Sequence, residues 1–213
     1  MSEPIRAVIS DFGGVLTTPL MNAFASHQNR TGIPAEALGR AMQGIAEREG
    51  AHPLFELEKG NLTEAAFLDA IAVELARELG HEPQMHGFKE IFFEALDPNE
   101  PMIELMRRIK ASGRRMALLT NNVREWEPLW RAMMPIDEIF ELVVDSAFVG
   151  VRKPEPEIYE LTLARLGDGI SAGECLFVDD VALNIDAARE LGFEAVHFRD
   201  NEQAIPEIES ALD

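Results

Sequence analysis

Short apolar runs that end in polar residues recur along this chain, separated by stretches of helical period. The first is Ala7-Val8-Ile9-Ser10, which stops at Asp11 and is followed at once by Gly13-Gly14. That pattern predicts a buried strand delivering a carboxylate to a sharp turn. Helical periodicity then takes over. Pro19, with Thr18 as its cap, opens a helix through Leu20, Ala23, Phe24 and His27 that stops at Thr31-Gly32. Pro34 opens a second, with Leu38, Met42, Ile45 and Ala46 on one side. Asn61 to Glu64 cap a third, through Phe67, Leu68, Ile71, Leu75 and Leu79, which Gly80 closes. Phe88, Ile91, Phe92 and Leu96 mark a fourth.

From Pro98 onward, helices alternate with short apolar strands. Helices are predicted around Met102–Ile109, Trp126–Met133, Pro156–Leu166, before Leu191-Gly192 and over Gln203–Leu212. The strands are Arg115–Leu119, Leu142–Val144, Leu176–Val178 and Ala195–Phe198. Strands alternating with helices imply a parallel sheet covered on both faces. The expected class is α/β: a doubly wound, Rossmann-like core formed by residues 1–15 and 98–213, with residues 16–97 inserted as an α-helical cap.

Composition narrows the function. A net charge of −19 argues against a nucleic-acid partner. No run is long and apolar enough for a membrane span. The single cysteine, Cys175, lies in an apolar run and reads as a buried structural thiol. With no basic, apolar leader after Met1, the expected location is cytoplasmic.

Chemistry concentrates at the strand ends: Asp11, Thr120-Asn121 and Asp179-Asp180, with Lys153 in the loop Val151-Arg152-Lys153-Pro154. In a parallel sheet these ends share one rim. The set suits phosphoryl transfer. Asp11 and Asp180 can hold Mg²⁺, which favours oxygen ligands. Asp11 can attack phosphorus to give an aspartyl-phosphate. Thr120 offers phosphate donors, Lys153 a compensating charge, and Asp179 would tune the metal site from beside Asp180.

The motifs Asp11-Phe12-Gly13-Gly14-Val15-Leu16, Leu118-Leu119-Thr120-Asn121, Arg152-Lys153-Pro154-Glu155-Pro156 and Phe177-Val178-Asp179-Asp180, in that order, resemble those of the haloacid dehalogenase-like hydrolase superfamily. The chain is similar in pattern to the phosphatase domain of soluble epoxide hydrolases and to bacterial sugar-phosphate phosphatases. The resemblance implies Asp11 as nucleophile and Mg²⁺ ligand, the Gly13 carbonyl and Asp180 as further ligands, and Thr120, Asn121 and Lys153 on the phosphate. It places Asn184 near the metal shell, where a position on a helix surface is the other reading. The implied substrate is a small phosphorylated metabolite, a sugar phosphate among the options.

Gly13 departs from the pattern, because phosphatases of this family usually carry there a second Asp as general acid and base. Three readings stay open. A phosphatase could draw the proton from substrate, water or a cap residue such as His27, His52 or Glu56. Lys59 could serve as the Schiff base of a phosphonate hydrolase; a dehalogenase would also lack the acid, but the Asp179-Asp180 pair speaks against it. The third reading is a weakly active protein that binds a phosphometabolite or a protein partner.

Overall fold

The computed structural model describes residues 4–81, 83, 85 and 87–213. The expectation of no leader falls on Met1 to Glu3, outside the described residues. A five-stranded, all-parallel sheet forms the centre, built from β1 (Ala7–Ser10), β2 (Arg115–Thr120), β3 (Leu142–Asp145), β4 (Cys175–Asp179) and β5 (Glu194–His197), in the order β3-β2-β1-β4-β5. β1 is central and apolar on both sides. Val8 joins the cluster of Leu118, Leu176 and Val178, while Ala7 and Ile9 join Ala117, Leu119 and Phe177 on the opposite face. Such two-faced burial is why the strands read as continuous apolar runs.

The insert after β1 contains α1 (Leu20–Thr31), α2 (Ala35–Glu49), α3 (Pro53–Glu58), α4 (Glu64–Leu79) and α5 (Phe88–Glu94). It has a core of its own around Ala23, Leu38, Ile45, Ile71, Leu75 and Phe92. On the sheet, α6 (Glu100–Ala111) brings Met102, Leu105, Met106 and Ile109 to one face. The chain then forms α7 (Glu127–Ala132), α8 (Ile136–Ile139), α9 (Ser146–Val149), α10 (Pro156–Leu166), α11 (Ala182–Glu190) and α12 (Asn201–Leu212). Residues of α12 share the face of α6, and residues of α10 and α11 cover the other.

Two expectations need correction. The cap of α1 is Pro19 and makes no side-chain hydrogen bond. The Thr18 hydroxyl instead accepts from Asp97 N at 3.1 Å, across the point where the chain enters and leaves the insert. Thr17 and Pro98 bridge there, Asn99 N donates to Leu16 O at 2.8 Å, and the Asn99 amide reaches Val15 O at 2.8 Å. The second correction is α3, which like the four-residue α8 and α9 is a helix within a stretch with no element predicted. Six residues are too few to establish a period, and Leu57, 2% exposed, anchors it by tertiary packing.

Candidate active site

Strand order reverses beside β1, since the chain builds outward to β2 and β3, then crosses to β4 and β5. Carboxyl ends flanking such a switch point are where open α/β sheets bind ligands. Asp11 follows β1, its N–H donating to Val178 O at 2.8 Å, and Asp179 ends β4. Carboxylate oxygens of Asp11, Asp179 and Asp180 lie within 4.8 Å of one another.

Lys153 reaches this cluster from the loop before α10. Its ammonium is 1% exposed and donates to Leu119 O at 2.8 Å and Asp179 Oδ2 at 2.6 Å, and it pairs with Asp11 Oδ1 at 2.7 Å. All three N–H bonds are thereby engaged. Asn121 builds that loop: its Nδ2 donates to Lys153 O at 2.9 Å and its Oδ1 accepts from Lys153 N at 2.8 Å. The amide side chain expected on the phosphate is thus committed to positioning the lysine. Thr120 is buried at the end of β2.

Both oxygens of Asp179 are occupied. Oδ1 accepts from Val181 N at 2.8 Å and Asn184 Nδ2 at 3.0 Å, and Oδ2 from Lys153 and Asn184. Asn184 is buried, near the cluster rather than on a helix surface. Gly14, at φ 79°, brings the loop backbone so close that a Cβ would stand 2.2 Å from Asp180 Oδ2. Only glycine combines that conformation with that approach. Gly13 has no such constraint; a Cβ there would meet the Leu20 methyls at 3.2 Å.

Electrostatically the cluster lacks positive charge. Burial pushes the Asp11 carboxyl up to about 8, helped by the charges of Asp179 and Asp180 and opposed by Lys153. Burial likewise raises Asp180 to about 6, with Asp179 adding to it. For Lys153, burial disfavours the ammonium, but Asp11 and Asp179 outweigh it and the net shift is upward. Buried Asp11 and Asp179 and half-buried Asp180, facing one ammonium, form an all-oxygen donor set suited to a divalent cation such as Mg²⁺.

Beside this rim lies a cavity of about 230 Å³, lined on the sheet side by Phe12, Gly13, Thr120 and Asn121 and on the insert side by apolar residues of α1 to α5. Glu58, the last residue of α3, also lines it. It pairs with Arg152 Nε at 2.6 Å, and burial raises its carboxyl above the ordinary range. Its partner is 94 positions away, a pairing no local pattern reveals.

The proton donors and the Schiff-base lysine named from sequence do not line the cavity. His27 is 1% exposed and packs on Phe88 with ring centroids 4.7 Å apart. His52 stacks on Phe55. Glu56 and Lys59 pair with each other at 2.9 Å. Cys175 is buried, and burial pushes its thiol up to about 12, as expected of an inert structural cysteine. No helix among the described residues is long and apolar enough to cross a membrane.

The chain is similar to known proteins. The chain is 29% identical over 198 residues to a phosphorylated carbohydrates phosphatase of Thermotoga maritima, covering 91% of this chain and 84% of that one. It is 28% identical over 220 residues to bifunctional epoxide hydrolase 2 of Rattus norvegicus, covering 96% of this chain and 38% of that one. The chain spans between 19% and 38% of the length of the mammalian relatives it matches. Among solved structures, a HAD family enzyme of Bacteroides thetaiotaomicron in complex with magnesium and inorganic phosphate superimposes with a TM-score of 0.68 at 22% identity, covering 93% of this chain and 96% of that one. The fold is therefore shared with that enzyme. A family model described as haloacid dehalogenase-like hydrolase matches residues 5–192, nearly the whole chain, and the protein belongs to that family.

Proposed function

We propose that the protein is a Mg²⁺-dependent phosphomonoesterase acting through an aspartyl-phosphate on Asp11, with residues 16–97 as cap over a core of residues 1–15 and 98–213. The observation that carries this reading is the convergence of buried Asp11, Asp179 and Lys153 with half-buried Asp180 at the switch point of the sheet. Asp11, Asp180 and the Gly13 carbonyl would hold the metal, which when bound supplies positive charge to an anionic phosphate.

An Asp11 carboxylate oxygen attacks phosphorus, the P–O bond to the alcohol breaks, and the alkoxide takes a proton. Water then cleaves the acyl phosphate, returning the carboxylate and releasing inorganic phosphate. Thr120 and the backbone N–H groups at the end of β2 hold phosphoryl oxygens. Lys153, fixed by Asn121 and Asp179, sets its charge beside the attacking oxygen. Gly13 offers no proton, so leaving groups that are stable as anions would react fastest. The phosphonatase alternative loses support from Lys59, which is paired with Glu56 and does not line the cavity.

The test is phosphate release from p-nitrophenyl phosphate and a panel of phosphomonoesters, with Mg²⁺ and after chelation, by wild type and Asp11→Asn. The expected result is Mg²⁺-dependent turnover that Asp11→Asn lowers by at least about 10³. Equal turnover by the two proteins would overturn the proposal.

A further inference from the structure

The cavity beside Asp11 has a chemistry that a sugar phosphate does not match. Its polar lining residues among the described ones are Glu58, Thr120, Asn121 and Asn122. Three of these side chains already hold protein partners. Glu58 holds Arg152, Asn121 holds the Lys153 backbone at both ends, and Asn122 Oδ1 accepts from Val123 N at 2.9 Å. The fourth, Thr120, ends β2, and Asn121 and Asn122 follow it directly, so the amide N–H donors these residues keep stand at the phosphate end. Away from the rim, the walls are Phe24, Met42, Leu54, Leu57, Phe67 and their apolar neighbours, with Trp126 entering from the core side.

Trp126 offers no spare donor either, because its Nε1 donates to Glu64 Oε1 at 2.9 Å. A sugar ring in this space would bury hydroxyls without partners, at roughly five- to 150-fold in affinity for each. An alkyl chain would gain about fourfold per methylene from the same walls, the equivalent of ~0.8 kcal/mol per buried CH₂. At ~30 Å³ for a water-sized group, the 230 Å³ cavity takes about eight such groups.

We infer that the substrate is the phosphomonoester of an aliphatic alcohol, its phosphate at Asp11 and Lys153 and its chain in the cavity between core and cap. The anionic end of this assignment rests on the phosphomonoesterase reading; the apolar end rests on the cavity alone. The preference is a property of binding before chemistry. It extends to phosphonate analogues that cannot be hydrolysed.

The experiment has two arms. In the first, straight-chain alkyl phosphates from ethyl to decyl, kept below their micelle concentrations, are compared with glucose 6-phosphate for Mg²⁺-dependent phosphate release. In the second, alkylphosphonates of the same lengths are titrated by calorimetry and by tryptophan emission, to which Trp126 in the cavity wall contributes. Both kcat/KM and phosphonate affinity are expected to climb about fourfold per methylene, then level off near eight carbons, with glucose 6-phosphate below butyl phosphate. Leu54→Trp, which fills part of the cavity, is expected to move the plateau to shorter chains.

Chain-independent phosphonate affinity, glucose 6-phosphate outrunning octyl phosphate, or an unchanged plateau in a folded Leu54→Trp protein would each overturn the inference. Should Leu54→Trp fail to fold, the wild-type series decides alone. Hydrolysis with a flat chain-length profile would refute the aliphatic assignment and leave the phosphomonoesterase standing. Phosphonate affinity that climbs while no ester is cleaved would do the reverse.

Discussion

Installing the missing acid is the most informative perturbation of this site. Gly13→Asp places a carboxyl two residues after Asp11, and the structure has room for it. The Gly13 backbone is in an ordinary conformation, and the new Cβ would stand 3.2 Å from Cδ1 and Cδ2 of Leu20, the first residue of α1. A shift of a few tenths of an ångström by that flexible side chain relieves the contact. Because the Cβ points toward Leu20, a cavity wall, the carboxyl would project toward the space assigned to the leaving group. Nearby Asp11 and Asp180 would raise its pKa, which keeps it protonated for donation near neutral pH. General acid catalysis is worth about 10²–10⁴ where the leaving alkoxide needs a proton, and little where it does not. Gly13→Asn has nearly the same shape and no acidic proton, so it isolates the chemistry from the steric effect. The assay is kcat/KM for an alkyl phosphate and for p-nitrophenyl phosphate in both variants. Gly13→Asp is expected to exceed Gly13→Asn by at least ~10² on the alkyl ester and by less than about threefold on the nitrophenyl ester. The same ratio on both esters would refute the reasoning, because it would show that another group already supplies the proton or that departure of the alcohol is not limiting.

Two further outcomes follow from the site. Gly14→Ala forces an L-residue to φ 79° with a Cβ 2.2 Å from Asp180 Oδ2; it is expected to lower stability by about 1–2 kcal/mol in urea melts and to abolish the thermal shift produced by Mg²⁺. Asp145, which caps α9 through Oδ1, has a buried Oδ2 without a partner, and burial raises its carboxyl to about 6. The folded state holds that proton more tightly than the unfolded chain, so wild-type stability falls as pH rises from about 4 through about 6. Asp145→Asn keeps the cap acceptor and removes the charge; it is expected to match wild type near pH 4 and exceed it by up to about 3 kcal/mol at pH 7.5 in paired urea melts. A gap independent of pH would contradict that account.

The sheet was legible because each strand is apolar on both faces and several stop at a polar residue, as Ile9-Ser10-Asp11 and Val178-Asp179 do. The rim cluster followed from the same ends. Three features were out of reach for a common reason: their determinants lie far apart in sequence. The Asn121 amide is engaged at both ends by the Lys153 backbone, Glu58 is held by Arg152, and Thr18 serves Asp97 in place of a helix cap. The apolar stripes of α1, α2, α4 and α5 read correctly as interior, but periodicity cannot separate a wall around empty space from a filled core. His27 shows the same limit, since a histidine at helical spacing looks alike whether it faces substrate or Phe88.

The stitched crossing at Thr17, Pro98 and Asn99 binds the two connections of the insert at a single seam. Any parting of the insert from the sheet must then be a swing about that seam, with Trp126 drawn out of its aromatic neighbours Phe88, Phe92 and Phe93. Such a swing would wet the apolar walls it separates, so the empty protein opens against a hydrophobic restoring force. A bound chain adds its own buried surface to that force and lengthens the closed interval, while the freed alcohol keeps the chain and loses the phosphate anchor. Turnover on long substrates would then be paced by letting the alcohol go, with the grip that favours them also slowing their release.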